Sequence, residues 1–326
     1  MKTVLILGAN GRFGQAATTA FAAAGWQVLA QVRRAPAAPL PARARALPVA
    51  LADTAALAAQ AAGARIVVYA VNPAYWRWDQ DLMSFFHQGL DLARRLGATF
   101  MLPGNVYNFG QDMPALLHEH TPQRPSQRRG EQRVAMEDEM ARQAMQGLDS
   151  VLIRAGDFYG CGRGTWMDQA IVKDLARGKL SYPGPLELAH AWAYLPDLAR
   201  AFVAVAERGV PAGFTSLHFA GHTLTGHQLL AAIDEAAARL GRRPPQGFRV
   251  GGMPWGLIRA VGLVKPMWRE LARMSYLWRV PHGLAGRRLA QQVGPLPATP
   301  VVDAVEQTLR DLGLAPVAPT ALTRAA

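Results

Sequence analysis

Through its first two thirds the chain alternates short apolar runs with longer stretches of helical period. The run at 4–7 is wholly apolar, as a strand buried on both faces requires. Runs at 26–32, 65–71, 99–104, 149–156 and 215–221 predict further strands. Between them, 12–25, 54–62, 79–96, 130–146 and 197–208 carry helix-like patterning, the first closed by Gly25. Asp197 reads as an N-cap for the last. This alternation predicts an α/β fold, a doubly wound parallel sheet with helices on both faces. After residue 222 the strand runs nearly stop. A capped amphipathic helix is predicted over 223–241, and 253–313 reads as helix interrupted by Pro254, Pro266, Pro281 and the loop "GPLPATP". The Pro-, Ala- and Arg-rich stretch 34–48 reads as an exposed connection, and 315–326 as a frayed tail.

The first turn carries the most chemistry. In "VLILGANGRFG" (4–14), Gly8, Gly11 and Gly14 punctuate the passage from strand to helix, with Asn10, Arg12 and Phe13 between them. Gly8 suits a tight turn, Gly11 a close approach to a pyrophosphate, and Gly14 close packing of helix on strand. The helix N-terminus adds free N–H groups and a partial positive charge. Together these predict a dinucleotide site. Residues 1–160 and 191–222 are thus expected to form a Rossmann-type cofactor domain. Residues 161–190 and 223–326 are expected to form a smaller, mostly helical substrate lobe. The second strand ends "QVRR", placing Gln31, Arg33 and Arg34, and no acid, where a carboxylate would receive the ribose of NAD. A guanidinium there can grip a 2′-phosphate, so NADP is the preferred cofactor and NAD the alternative.

Charge narrows the partners. The chain has 326 residues and a net charge of +12, and its only lysines are Lys2, Lys173, Lys179 and Lys265. The arginines are scattered, and the densest cluster, at 123–133, has no interleaved aromatics to stack bases, so no nucleic-acid partner is expected. Cys161 is the only cysteine, no apolar run is long enough to cross a membrane and no secretory signal is read. The expected location is cytoplasmic. Trp255, Trp268 and Trp278, with Arg259, Lys265, Arg269 and Arg279, are read as closing a substrate lobe rather than lying on a membrane. His118, Glu119 and His120 lack the further spaced ligands of a zinc site, and no metal is expected.

The segments "GANGRFG", "VVYAVNPAY" (67–75), "VYNFG" (106–110), "VLIRAGDFYGCG" (151–162) and "WAYLPDLARAF" (192–202) resemble an extended or atypical short-chain dehydrogenase/reductase of the NAD-dependent epimerase/dehydratase group. The resemblance covers roughly residues 1–222. It implies that Ala70, Val71 and Asn72 lie along the cofactor and that 154–158 approach the nicotinamide. It also implies a catalytic Ser or Thr with a Tyr-x-x-x-Lys pair, one helical turn apart. No tyrosine here has a lysine four positions later. In register with the family segment, Arg129 stands at the Tyr position, Arg133 at the Lys position, Glu137 keeps the glutamate, and Pro103 takes the serine position. Arginine keeps its proton at neutral pH, so Arg129 is a poor acid–base group, while Arg133 retains a contact to the ribose hydroxyls.

Substitute acid–base groups are sought first at Tyr107 and Asp157, then at Tyr159, His87 and His190. Tyr75, Trp76, Trp78, Arg163 and Trp166 are the expected substrate contacts. The reading is an NADP(H)-binding oxidoreductase or epimerase-like enzyme acting on a small molecule. The alternative is a catalytically silent NADP(H)-binding sensor or scaffold. The helices at 79–96 and 130–146 are those through which relatives pair, so a homodimer is possible.

Overall fold

A computed structural model describes residues 2–36, 39–209 and 211–314; of Tyr75 only the backbone is described. The tail expected at 315–326 therefore lies outside the described residues. The chain opens with β1 (Thr3–Leu7), α1 (Arg12–Ala23), β2 (Gln27–Gln31), β3 (Ala44–Leu47), α2 (Thr54–Gln60), β4 (Ile66–Tyr69), α3 (Trp78–Leu96) and β5 (Thr99–Gly104). It continues with β6 (Leu116–Leu117), α4 (Arg128–Ala144), β7 (Ser150–Arg154), β8 (Asp157–Tyr159), β9 (Lys179–Tyr182), β10 (Ala189–Tyr194) and α5 (Leu195–Arg208). The remainder is β11 (Phe214–His218), β12 (His222–Thr225), α6 (Gly226–Arg239), β13 (Arg249–Gly252), α7 (Trp255–Gly262), α8 (Pro266–Arg273), β14 (Gly283–Leu284), α9 (Arg287–Val293) and α10 (Val301–Asp311).

Seven strands form one parallel sheet in the order β3-β2-β1-β4-β5-β7-β11. The order reverses at β1, and the crevice beside that reversal is where doubly wound sheets bind ligands. The apolar runs explain the layering. Every residue from Val4 to Leu7 is buried, because α1 and α5 cover one face and α2, α3 and α4 the other. On α1, Phe13, Ala16, Ala17 and Phe21 repeat at helical spacing, and Phe13 meets Phe202 of α5 edge to face at 4.8 Å. On α3, Trp78, Leu82, Phe86, Leu90 and Ala93 form the inward stripe, which Gly97 ends in a left-handed cap. Full burial of a side chain such as Phe86 contributes about 2 kcal/mol.

The stretch 34–48 is not only a connection. Its last part is β3, which pairs in parallel with β2 from Val28↔Ala44 to Gln31↔Leu47. The short run "ARAL" has weak strand character of its own. It is held by the open edge of β2 and by burial of Leu47. Asp197 is another correction. Tyr194 is the N-cap of α5, and Asp197, one turn inside, accepts hydrogen bonds from the backbone N–H of Thr299 (2.8 Å) and from its hydroxyl (2.7 Å).

Past β7 the chain builds a second, three-stranded sheet, β12-β10-β8, beyond the carboxyl edge of the main sheet. A third core cluster joins residues of 159–182 to α6, Trp278 and α10. Helix α6 begins at Gly226, because strand β12 takes the first residues expected to be helical, and it is capped by a box between Thr225 and Gln228.

Candidate active site

The glycine turn forms an open cradle at the end of β1. Gly11 is extended and caps α1 with no side chain, and the first turn of α1 has no acid. Its leading N–H groups are therefore available to an anion. Gly8 has φ +75°, a conformation that disfavours a side chain. A Cβ on Gly14 would stand 2.4 Å from the Gly8 carbonyl, so only glycine lets the helix start this close to the turn. Gln31 is buried behind the turn. Its Oε1 accepts from the Gly8 N–H (3.0 Å), and its Nε2 donates to Val49 O (2.7 Å). Arg33 and Arg34 are exposed beyond β2, and Asn10 Nδ2 ties their loop to the turn by donating to Arg34 O (2.9 Å). Ala70 and Val71, half-buried, and Asn72, exposed, follow β4 on the same edge. The side chain of Phe13 is core, so only its backbone faces the cradle. Arg12 Nη1 donates to Arg163 O (2.8 Å), and Arg163 Nη2 to Leu312 O (3.0 Å).

Across the edge, β7 ends at Arg154, 1 % exposed, in a largely buried network. Arg154 Nη2 donates to both carboxylate oxygens of Glu137 (2.8 and 2.7 Å), and Nη1 donates to Asn105 O (2.6 Å). Asn108 and Gln123 donate to the same carboxylate, at 2.8 and 2.6 Å. One turn later, β8 lies parallel to β10 with Asp157 opposite Trp192. This register sets Asp157 Oδ2 2.9 Å from His190 Nε2. Asp157 is half-buried, and its partner His190 is 3 % exposed. Trp278 stacks on the His190 ring (4.3 Å, 8° between planes), His282 meets it edge-on at 4.5 Å, and Trp166 continues the wall, 5.0 Å from Trp278. The buried indole N–H groups of Trp192 and Trp278 have no acceptor among the described residues. His282 donates from Nδ1 to Val280 O, and burial, with His190 nearby, pushes its pKa down to about 3.

Comparison with known families decides the kinship. The model of the NAD dependent epimerase/dehydratase family matches residues 4–214. The chain belongs to that family. No curated protein matches it in sequence. Among solved structures, UDP-glucose 4-epimerase with UDP-glucose from Thermotoga maritima superposes with a TM-score of 0.74 at 14% identity, over 95% of this chain and 98% of that one. The Bordetella bronchiseptica enzyme WbmH in complex with NAD+ gives 0.72 at 19%, over 95% and 98%. L-threonine dehydrogenase from Clostridium difficile gives 0.71 at 15%, over 96% and 98%. At these identities the likeness shows the fold.

Arg129 and Arg133, which the resemblance sets where the family's Tyr and Lys are expected, both lie against α3. Arg129 is buried, donates to Glu270 Oε2 of α8 (2.9 Å) and to Gln132 Oε1 (2.9 Å), and lies over the Trp78 ring at 5.5 Å. Arg133 lies over the same ring at 4.8 Å. Trp78 departs from its expected substrate role. It is 1% exposed, with its indole N–H donated to Pro73 O (3.0 Å), because the two guanidinium groups and the α3 core enclose it. Trp76, by contrast, is 58% exposed.

The other acid–base candidates separate by partner. His222 Nε2 lies 2.8 Å from Thr299 O and so carries the proton there, which leaves Nδ1 to accept from the Tyr159 hydroxyl (2.7 Å). Burial pushes Tyr159 far above the ordinary phenol range. His87 pairs with Glu139 (3.7 Å), where α3 and α4 meet. Tyr107 is buried, and its backbone N–H donates to Asn105 Oδ1 (3.1 Å). Glu119 accepts from the His218 N–H (3.1 Å), while His118 and His120 stack at 5.2 Å. Among the described residues, no group of three or more His, Cys, Asp or Glu could hold a metal ion.

Sequence reasoning passed over Glu270, His282 and the role of Trp192. One signal for the last was present. His190, Trp192 and Tyr194 alternate along "AHAWAY" and so share one face of a strand.

Proposed function

We propose that this family member is an NADP(H)-dependent enzyme in which Asp157, positioned by His190, performs the proton transfer otherwise assigned to tyrosine. The single observation that carries the reading is the 2.9 Å Asp157–His190 pair just past the carboxyl end of β7. The cradle fits the cofactor. A pyrophosphate has uncapped N–H groups at α1 and a Gly14 that leaves no room for a side chain. The backbone of Gly8, Asn10, Gly11, Arg12, Phe13 and Gly14 would hold it, Arg33 and Arg34 would take the 2′-phosphate, and Ala70, Val71, Asn72 and Arg133 would flank the ribose. When bound, the nicotinamide supplies hydride chemistry.

The chain's own groups do the rest. His190 Nε2–H is donated to Asp157, which fixes that carboxylate and leaves its other oxygen to accept from a substrate hydroxyl or, when protonated, to donate to a substrate carbonyl. Trp166, half-buried and backed by the buried Trp278, offers an apolar face on this side, suited to a small molecule with a flat or hydrophobic face. Arg163 closes the side nearest the glycine loop.

Calorimetric titration of NADPH, followed by cofactor oxidation and reduction over a panel of carbonyls and alcohols, tests the reading. Asp157→Asn is expected to keep NADPH affinity within about twofold and to lower turnover about 100-fold or more. Unchanged turnover would remove Asp157 from the chemistry. A second reading, a nucleotide sensor without turnover, is favoured by the Arg129–Glu270 pair that fills the tyrosine position. Tight NADPH binding with a silent panel would select it.

A further inference from the structure

The segment read as closing the substrate lobe divides in two. Trp255 and Trp278 turn inward: Trp255 Nε1 donates to Pro183 O (2.7 Å), and Trp278 packs on His190. The hairpin between them faces out. Helices α7 and α8 meet where a Cβ on Gly262 would stand 3.0 Å from the Arg269 backbone, and α8 buries none of its residues. Leu257 is 62% exposed, Leu263 83%, Val264 79%, Met267 52% and Trp268 36%. A water-facing helix of a globular protein normally presents polar side chains on that side.

The charge pattern names the occupant. The hairpin carries Arg259, Lys265, Arg269 and Arg273 against a single acid, Glu270. The carboxylate of Glu270 is already taken by Arg129 (2.9 Å) and Arg273 (2.8 Å). Arg259, Lys265 and Arg269 stay exposed around the apolar tip. A second copy meeting this face about a two-fold axis would set like charges against like. A bilayer with anionic headgroups would instead accept the apolar tip at the acyl boundary and pair the cations around it. Each helix has eight residues, and among the described residues no helix is long and apolar enough to cross a membrane. The hairpin therefore lies on a bilayer rather than through it.

We infer that the α7–α8 hairpin is a reversible docking element for an anionic membrane surface. It sets the Trp166 side of the site close to the lipid, since α7 begins at Trp255, whose ring lies 6.3 Å from that of Trp166. The inference is independent of whether Asp157 is catalytic.

Co-sedimentation of the purified protein with vesicles tests it. Vesicles of phosphatidylcholine containing roughly 30 mol% phosphatidylglycerol are expected to carry the protein down, while phosphatidylcholine alone leaves it in solution; raised salt should weaken the binding. The double variant Leu263→Asp, Val264→Asp is expected to lose about tenfold or more in partitioning, with thermal midpoint and NADPH affinity unchanged. Three results would overturn the inference. The native protein stays in the supernatant with anionic vesicles, or the variant partitions as well as the native chain. The third is a dimer, seen by sedimentation equilibrium without lipid, that the double variant dissolves; the face would then belong to a second copy.

Discussion

Arg33 stands exposed just beyond β2, on a loop that Asn10 fastens to the glycine turn. A guanidinium there meets a 2′-phosphate through charge-assisted hydrogen bonds and meets a 2′-hydroxyl only weakly. Arg33→Ala is expected to weaken NADPH about tenfold or more and NADH by about twofold or less in calorimetric titration. Equal losses for both would remove the phosphate role. The glycine turn could be read from the chain because its requirements are local: three residues without side chains, between a strand and a helix. The pairing of Arg129 with Glu270 could not, because the two are 141 positions apart and α8 has no pattern that names its neighbour. Asp157 and His190 were both legible as titratable groups near a strand end. Their contact depends on the register of β8 against β10, which single-sequence patterning does not set.

Among the elements, α4 does the most to join distant parts, because Glu137 projects from it into the Arg154 network between β7 and the turn at 107–109. A buried ion pair is costly to break on one side, since the remaining charge is left without compensation. Glu137→Ala is therefore expected to lower the unfolding free energy by about 3–5 kcal/mol, measured by urea denaturation. A loss below about 1 kcal/mol would show that water or a rearranged partner satisfies Arg154. The main-sheet strands and their helices were legible because each carries its own period and burial. β3 was not, since "ARAL" pairs only because β2 offers an open edge. β8 was not read as a strand, since its three residues are too few to show a period of their own and are held by pairing with β10.

For the molecule as a whole, two buried imidazoles couple the fold to pH. Burial, with Arg154 nearby, pushes His218 down to about 3, and His282 is pushed down to about 3 as well. An unfolded histidine titrates near pH 6.5, so between about pH 3 and 6.5 the unfolded chain binds more protons than the folded one. Stability is thus full above about pH 6.5 and falls as pH drops, by about 2 kcal/mol per histidine at about pH 5. Thermal midpoints are expected to decline from pH 7 to pH 5, and His218→Gln should flatten that decline. A variant profile parallel to the native one would contradict the assignment. The link from Arg12 to the Arg163 carbonyl, and from Arg163 to the Leu312 carbonyl, reaches further still. The side of the glycine turn next to Arg12 is therefore finished only once Leu312 has been synthesised and folded back, 300 positions after Arg12, so this corner of the fold cannot close co-translationally on its amino-terminal half alone.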